Sequence, residues 1–289
     1  MFVSGFTFVR NAVKFDYPVV ASIRSLLPLV DELVVCLGNS DDETERLIQS
    51  VSDPKIRIIH SVWDDSLREG GRVLAIETNK ALDQVSPKAD WCIYLQADEV
   101  IHEQDYPAIR EAMQQYCADQ RVEGLLFKYI HFYGSYHYFG SSRKWYRHEI
   151  RIVRNDPAIR SWKDAQGFRK NNAPLHVKPV DAFIFHYGWV KDPYHQSEKQ
   201  KNFHKMWHQD EKVKLMVSDL PFDYSKIDAL APFKGSHPGV MLERINKMNW
   251  DFEFDTSVKR LKLKDRVLMG IEKLTGKRLF EYKNYRLLP

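Results

Sequence analysis

Short, continuously apolar segments alternate with amphipathic segments over the first 120 residues, and this alternation constrains the fold more than any other feature. Apolar runs occupy residues 2–9, 33–37 and 91–95. Residues 16–27 and 73–82, which lie between these runs, carry apolar side chains at helical spacing, and Asp16 is predicted to cap the first of these two helices. Strands that are apolar on both faces and separated by amphipathic helices indicate a parallel sheet covered on both sides. This half of the chain is therefore predicted to have an α/β fold.

The pattern changes after about Glu123. Longer strands are predicted at residues 125–132, 149–153 and 181–186, with loops rich in Tyr, Trp, His and Arg between them. Two further helices are predicted, at residues 191–212 and 259–274. Residues 213–256 show little periodicity and contain three prolines.

The charge of the chain is small but unevenly distributed. Its 289 residues carry 43 Lys and Arg against 39 Asp and Glu, a net charge of +4, which gives no reason to expect a nucleic acid as partner. Residues 257–289 alone carry ten basic and three acidic residues, a net charge of +7. Two interpretations of this basic C-terminal helix remain open: a solvated helix that packs one face on the core, and peripheral contact with an anionic membrane surface.

The cysteines and the N-terminus bear on the compartment. Only three cysteines occur, Cys36, Cys92 and Cys117, and their spacing is not that of a metal site. This usage favours a reducing, cytoplasmic location, with contact at the inner face of the membrane as an addition. The N-terminus lacks the features of a signal peptide, and no apolar run approaches the ~18 residues of a membrane-spanning helix.

Polar residues follow three of the predicted strands directly. These are Arg10-Asn11, residues 38–42 and residues 96–99. Ligands of open α/β sheets bind at the carboxyl ends of the strands, so these three groups are expected to converge. Asp98 and Glu99 end an apolar strand, and carboxylates in that position suit a divalent cation that completes its shell with phosphate oxygens and water. The alternative is a solvated loop or a helix cap.

An ordered set of motifs resembles one enzyme family. Residues 94–99, Tyr-Leu-Gln-Ala-Asp-Glu, look like the aspartate-rich motif of family 2 nucleotide-sugar glycosyltransferases of the GT-A fold. Residues 8–11 resemble the first nucleotide loop of that family, and residues 33–44 resemble its second strand and acidic turn. Residues 71–82 resemble the helix before the metal-binding strand. The resemblance is good over residues 3–100 and loose over 145–200.

The resemblance implies a fold and a division of the chain. The fold is a GT-A type α/β fold, with a Rossmann-like, mostly parallel central sheet, helices on both faces and a helical C-terminal extension. The GT-A domain is expected over residues 1–212. Its nucleotide-sugar-binding half is residues 1–122, its acceptor half is residues 123–212, and the basic extension is residues 213–289.

The resemblance also implies a reaction. A sugar passes from a UDP- or GDP-sugar donor to a hydroxyl of a glycan or lipid-linked acceptor, with inversion and with Mn²⁺ or Mg²⁺ as cofactor, in polysaccharide or glycolipid assembly. Asp98 and His186 are the candidate metal ligands. The candidate donor-binding residues are Arg10, Asn11, Asn39, Asp41, Arg72, Asn79, Gln96 and Asp98.

Two positions depart from the family pattern. Gln96 stands where an acidic residue is usual, which weakens the expected metal affinity. Gly38-Asn39 stands where an aspartate usually contacts the base, which leaves the identity of the base open.

The second half of the chain must supply the catalytic base. Asp164 is the first candidate, because it follows a strand similar to one in bacterial relatives and lies between Trp162 and Phe168, which suit sugar stacking. Its alternative is a turn carboxylate paired with a neighbouring cation. Glu149 is the reserve candidate, with a strand-end ion pair as its alternative.

Two other functions compete with glycosyl transfer. A nucleotidyltransferase uses a related sheet and a cation, but residues 8–11 lack the glycines and added cations of a triphosphate loop. The second alternative is a protein of the same fold that binds a carbohydrate or a nucleotide without catalysing a reaction. Gln96 supports this alternative, because it stands where the family usually has an acidic residue.

Overall fold

The computed structural model describes residues 1–67, 69–217 and 220–289. Within them lie thirteen strands and eight α-helices, besides short 3-10 turns. The strands are β1 Val3–Val9, β2 Glu32–Gly38, β3 Ile56–Ser61, β4 Trp91–Tyr94, β5 Glu99–Ile101, β6 Gly124–Tyr133, β7 Ser135–Gly140, β8 His148–Arg154, β9 Ile159–Trp162, β10 Gly167–Lys170, β11 Ala173–Trp189, β12 Leu230–Pro232 and β13 Tyr285–Leu287. The helices are α1 Val19–Leu26, α2 Thr44–Gln49, α3 Arg72–Leu82, α4 Tyr106–Tyr116, α5 Pro193–Lys205, α6 Asp210–Met216, α7 Leu242–Asn246 and α8 Leu263–Thr275.

All thirteen strands belong to one sheet, whose main path is β3-β2-β1-β4-β8-β6-β11-β10-β9. The first four strands of this path pair in parallel. Strand β8 runs antiparallel to both β4 and β6, while β6 and β11 are parallel to each other. The α/β class predicted from the sequence is confirmed. Its parallel part is the N-terminal half, and the remainder of the sheet is mixed.

The parallel half is apolar on both faces, as its continuous apolar runs predict. Alternate residues of β2 enter different clusters: Leu33 and Val35 pack with α1 and α4, whereas Val34 and Cys36 pack with α3. Successive side chains of a strand point to opposite faces, so a run without polar residues needs helices on both sides. This layering brings the carboxyl ends of β1 and β4 to one edge.

Three predicted helix boundaries differ from the structure. Asp16 was expected to cap α1, but the helix starts at Val19, and the Asp16 carboxylate pairs with Arg244 at 2.5 Å. The single helix expected over residues 191–212 is divided into α5 and α6. The basic helix expected from residue 259 begins at Leu263. The first difference depends on a partner 228 residues away, which local sequence does not reveal.

Residues 213–289 return to the sheet rather than standing apart from it. Strand β12 pairs with β7, and β13 pairs with β11. The predicted boundary at residue 213 falls inside α6. Only part of this segment is helical, and among the described residues no helix has the length and apolar character needed to span a bilayer.

Candidate active site

A cleft of about 670 Å³ opens where β1 and β4 end and β11 passes beside them. Five of the residues singled out from the sequence line it: Arg10, Gln96, Asp98, Asp164 and His186. They come from four segments of the chain: the end of β1, the loop after β4, the turn between β9 and β10, and β11. The parallel pairing of β1 with β4 and the pairing of His186 with Glu99 across β11 and β5 bring them together.

Asp98 forms the floor of the cleft and is paired with a lysine. The Nζ of Lys199 lies 2.9 Å from Asp98 Oδ2 and donates a second hydrogen bond to the Gly188 carbonyl at 2.8 Å. Burial raises the pKa of the Asp98 carboxyl, but the Lys199 ammonium group lowers it by more through its charge and its hydrogen bond, so the pKa lies well below its usual range. Asp98 is therefore ionised at neutral pH.

The ring nitrogen of His186 that faces Asp98 is Nε2, and the hydrogen bonds around His186 show that this nitrogen carries no proton. The Nε2 of His131 lies 2.9 Å from the Tyr146 carbonyl, which only accepts, so this nitrogen carries the proton. Burial lowers the pKa of both histidines and favours their neutral forms. His131 Nδ1 then accepts from His186 Nδ1 at 3.1 Å, which leaves the lone pair of His186 on Nε2, 3.8 Å from Asp98 Oδ2. This tautomer is assigned from the hydrogen bonds.

Gly188 permits this close arrangement. A Cβ at residue 188 would lie 2.6 Å from both Asp98 Oδ2 and His186 Nε2. Any side chain at this position would force the two groups away from their places. Residue 188 must therefore be glycine, because the Asp98 and His186 side chains approach its backbone closely.

A buried ion pair supports the loop that carries Asp98. Arg151 on β8 binds Glu99 through two hydrogen bonds, of 2.7 and 2.8 Å, and neither side chain is exposed. Tyr129 also donates to Glu99 at 2.8 Å. Arg151 further donates to the Gln166 carbonyl at 2.8 Å. One guanidinium thus links the loop of residues 96–99 to the turn that holds Asp164.

Asp164 also lines the cleft, from a tight turn between β9 and β10. Lys163 and Ala165 on either side of it have positive φ angles of 54° and 60°. Burial raises the pKa of the Asp164 carboxyl above its ordinary value, against hydrogen bonds from backbone N–H groups that lower it. The start of α3 packs against this turn, since a Cβ at Gly71 would lie 2.9 Å from Asp164 Cβ. A half-buried carboxylate with a raised pKa suits a general base.

Arg10 and Trp63 form the other end of the cleft. The Arg10 guanidinium lies 5.5 Å from the Trp63 ring centroid and pairs with Asp65 at 2.7 Å. Both residues also line a second pocket that continues from the cleft toward α5 and α6. An aromatic face beside a guanidinium suits a nucleotide base and its phosphate.

Three predicted donor residues make contacts within the protein around the turn that follows β2. Asn11 Oδ1 accepts from the Asp41 amide at 2.9 Å, and Asn39 Oδ1 accepts from the Trp63 amide at 3.1 Å. Asp41 is exposed and pairs with Lys14 at 2.7 Å. Asn11 and Asp41 line the adjoining pocket, so their contribution to donor binding remains a prediction.

Three other predicted residues lie outside the central cleft. Asn79 is bound to the backbone of Ser161, accepting from its amide at 2.8 Å, and so ties α3 to β9. Arg72 lines a side pocket that also reaches Asp164. Glu149 lines a further pocket, where burial raises its pKa to about 8 and Asn284 donates to it at 3.3 Å. Glu149 thus lines a different pocket from Asp164, and which of the two acts as a base remains a prediction.

Lys199 is the main site residue that sequence reasoning missed. Lys199 lies in the polar helix α5, which contains several lysines. Nothing in the sequence around Lys199 distinguishes it from the other lysines of that helix. Trp145 and Trp189, which also line the cleft, were noticed only as members of aromatic-rich loops. Lys191 is fully buried and donates to the Phe15 carbonyl at 2.7 Å, which braces the loop after β1. The only indication in the sequence that Lys191 is buried is its position directly after an apolar strand.

Neither family models nor curated proteins gave a match to this sequence. Solved structures gave distant similarities. S. aureus TarS is 13% identical, with a TM-score of 0.41 over 70% of this chain and 39% of TarS. Glucosyl-3-phosphoglycerate synthase from Mycobacterium tuberculosis, in complex with Mn²⁺, UDP and phosphoglyceric acid, is 19% identical, with a TM-score of 0.30.

A third similar structure is 4-diphosphocytidyl-2C-methyl-D-erythritolsynthase from Anaerococcus prevotii, at 10% identity and a TM-score of 0.33 over 53% of this chain and 70% of that one. The match to the mycobacterial synthase covers 46% of this chain and 43% of the synthase. This chain thus spans less than half the length of TarS and of the synthase. These similarities are too distant to assign an activity, so the proposal below rests on the geometry of the cleft.

Proposed function

We propose that this chain is a GT-A type glycosyltransferase that moves a sugar from a nucleoside diphosphate to an acceptor hydroxyl. The observation that carries the proposal is one cleft that Asp98, His186 and Asp164 line together with Arg10 and Trp63. Its volume of about 670 Å³ lies within the range of small-molecule sites.

The residues divide the reaction between the walls of the cleft. Asp164 accepts the proton of the acceptor hydroxyl as its oxygen forms a bond to the anomeric carbon. The bond from that carbon to the phosphate oxygen breaks, and its electron pair leaves with the nucleoside diphosphate. Attack from the wall opposite the diphosphate inverts the anomeric centre. Lys199 neutralises charge where the diphosphate departs, because its ammonium group is fixed at the cleft floor.

The donor set at the cleft floor fits a divalent cation. The lone pair of His186 Nε2 and the Asp98 carboxylate face each other across 3.8 Å. The described residues contain no group of three or more His, Cys, Asp or Glu that would complete a metal site, so a cation held here would need further ligands from diphosphate and water. Asp98 and His186 would hold Mn²⁺ or Mg²⁺, which supplies charge neutralisation to the leaving diphosphate.

Calorimetric titration with UDP and GDP, with and without Mn²⁺, tests the proposal. We expect one of the two to bind, and Mn²⁺ to strengthen its binding. Asp98→Ala is expected to remove the effect of Mn²⁺ while leaving the circular dichroism spectrum unchanged. A screen of UDP- and GDP-sugars for transfer or hydrolysis then identifies the donor. Failure of both nucleotides to bind would overturn the proposal, and pyrophosphate release from a nucleoside triphosphate would assign a nucleotidyltransferase instead.

Lys199→Met is expected to tighten Mn²⁺ binding to the nucleotide-free chain about tenfold, because an ammonium group no longer competes for Asp98 Oδ2. Electron paramagnetic resonance of free Mn²⁺ measures this affinity without any turnover. Lys205→Met, an exposed lysine at the end of the same helix, is the matched control and should leave the affinity unchanged. Equal or weaker Mn²⁺ binding by Lys199→Met would show that the lysine does not compete with the cation.

A further inference from the structure

Helix α8 presents an apolar face to solvent. Leu263, Val267, Gly270 and Leu274 are spaced four, three and four residues apart and lie on one side of the helix. We call these four residues the apolar stripe. Leu263 is 78% exposed and Leu274 is 88% exposed, and Phe280, just beyond the helix, is 87% exposed. Large apolar side chains exposed together in this way mark an interaction surface.

The opposite face of α8 is fixed to the body of the protein. Glu272 binds Arg143 at 2.8 Å and Arg147 at 2.9 Å. Glu281, which follows the helix, binds Arg147 at 3.2 Å. These contacts set the rotation of the helix about its axis, so that the apolar stripe faces outward.

The same contacts give the outward face its charge. Two of the three acidic residues in residues 257–289, Glu272 and Glu281, are engaged by arginines of the protein body. Lys264, Arg266 and Lys273 stay exposed beside the apolar stripe. The surface therefore combines apolar side chains with an excess of cations.

We infer that this face of α8 docks on an anionic lipid bilayer. A helix with apolar side chains flanked by lysines and arginines inserts its apolar side at the boundary of headgroups and acyl chains, while its cations attract anionic headgroups. A second copy of this chain would bring the same excess of positive charge to the contact, which disfavours self-association through this face. Charge complementarity thus selects the bilayer as the occupant.

Docking would place the cleft close to the bilayer. Tyr282, which is 77% exposed, lines the side pocket that contains Asp164 and Arg72. Asn284 lines it as well. An acceptor hydroxyl on a lipid-linked glycan would approach Asp164 from this side. This last step rests on the proposed function, whereas binding to the bilayer does not.

Sedimentation with vesicles tests the docking surface without donor or acceptor. We expect the chain to bind vesicles of phosphatidylglycerol and phosphatidylcholine, to bind pure phosphatidylcholine at least tenfold more weakly, and to dissociate as salt rises. The double variant Leu263→Ser/Leu274→Ser should lose at least tenfold in binding. Lys264→Gln and Lys273→Gln should each lose about fivefold. All four residues are exposed, so these changes spare the fold.

Two control variants and one variant with stronger vesicle binding complete the test. Val62→Ser, an exposed apolar residue on another surface, and Lys88→Gln should bind as the unchanged chain does. Gly270→Leu should bind more tightly, because a Cβ at this position meets no atom within 4 Å and the new side chain continues the apolar stripe. Equal binding to neutral and anionic vesicles, or no effect of the stripe variants, would overturn the inference. So would a dimer in analytical ultracentrifugation that the stripe variants abolish while vesicle binding is absent.

Discussion

Asp164→Asn is expected to lower turnover by a factor of about 10² to 10⁴, while nucleoside diphosphate binding stays within twofold. The amide keeps the size of the side chain in its turn but no longer accepts the acceptor's proton. Steady-state kinetics with the donor found in the nucleotide-sugar screen, together with calorimetry, separates the two effects. Since burial raises the pKa of Asp164, turnover of the unchanged protein should fall as the pH is lowered toward that pKa, because the base must be ionised.

Glu149→Gln is the matched control for this substitution. Glu149 is also a buried carboxylate with a raised pKa, but it lines a separate pocket beside Asn284. Turnover should therefore change little in Glu149→Gln. If Asp164→Asn keeps full turnover and Glu149→Gln loses it, the two assignments are reversed.

Glu99→Ala is expected to cost about 3–5 kcal/mol of unfolding free energy, because it leaves the fully buried Arg151 without its carboxylate. Arg151 is held between the rings of Tyr94 and Tyr129, each centred 5.2 Å from its guanidinium carbon, so it cannot reach water. Urea denaturation at neutral pH measures the loss. Asp98 and Asp164 should also lose their relative positions, since Arg151 links their two loops.

A double-mutant cycle shows whether the ion pair of Glu99 and Arg151 accounts for the lost unfolding free energy. Arg151→Met removes the buried cation and retains an unbranched apolar chain. The double variant Glu99→Ala/Arg151→Met should lose less than the sum of the two single losses, because neither partner is left as an unpaired buried charge. Additive losses would show that the two side chains contribute independently. Nucleotide binding by the double variant then reports how far the cleft depends on this pair.

The cation proposed for Asp98 and His186 stands on the tautomer of His186 and on the ionised Asp98 carboxylate. The Mn²⁺ affinity of Lys199→Met examines that site independently of catalysis.

The sequence by itself determined the α/β class and the edge at which the site forms. Apolar runs such as residues 33–37 require helices on both faces, and a strand that ends in Gln96-Ala97-Asp98 puts its polar groups at the carboxyl edge. Both conclusions follow from periodicity over fewer than ten residues. The position of Asp98 in the cleft was predictable on this basis.

Tertiary structure alone decided which polar residues meet in the cleft. Asn79 resembled a donor-binding residue but is bound to Ser161, 82 residues away, while an inconspicuous lysine in α5 reaches Asp98 across 101 residues. Such pairings depend on how β11 and α5 return over the sheet, which short-range periodicity does not encode. The outward rotation of α8 is likewise set by Arg143 and Arg147, more than 120 residues earlier in the chain.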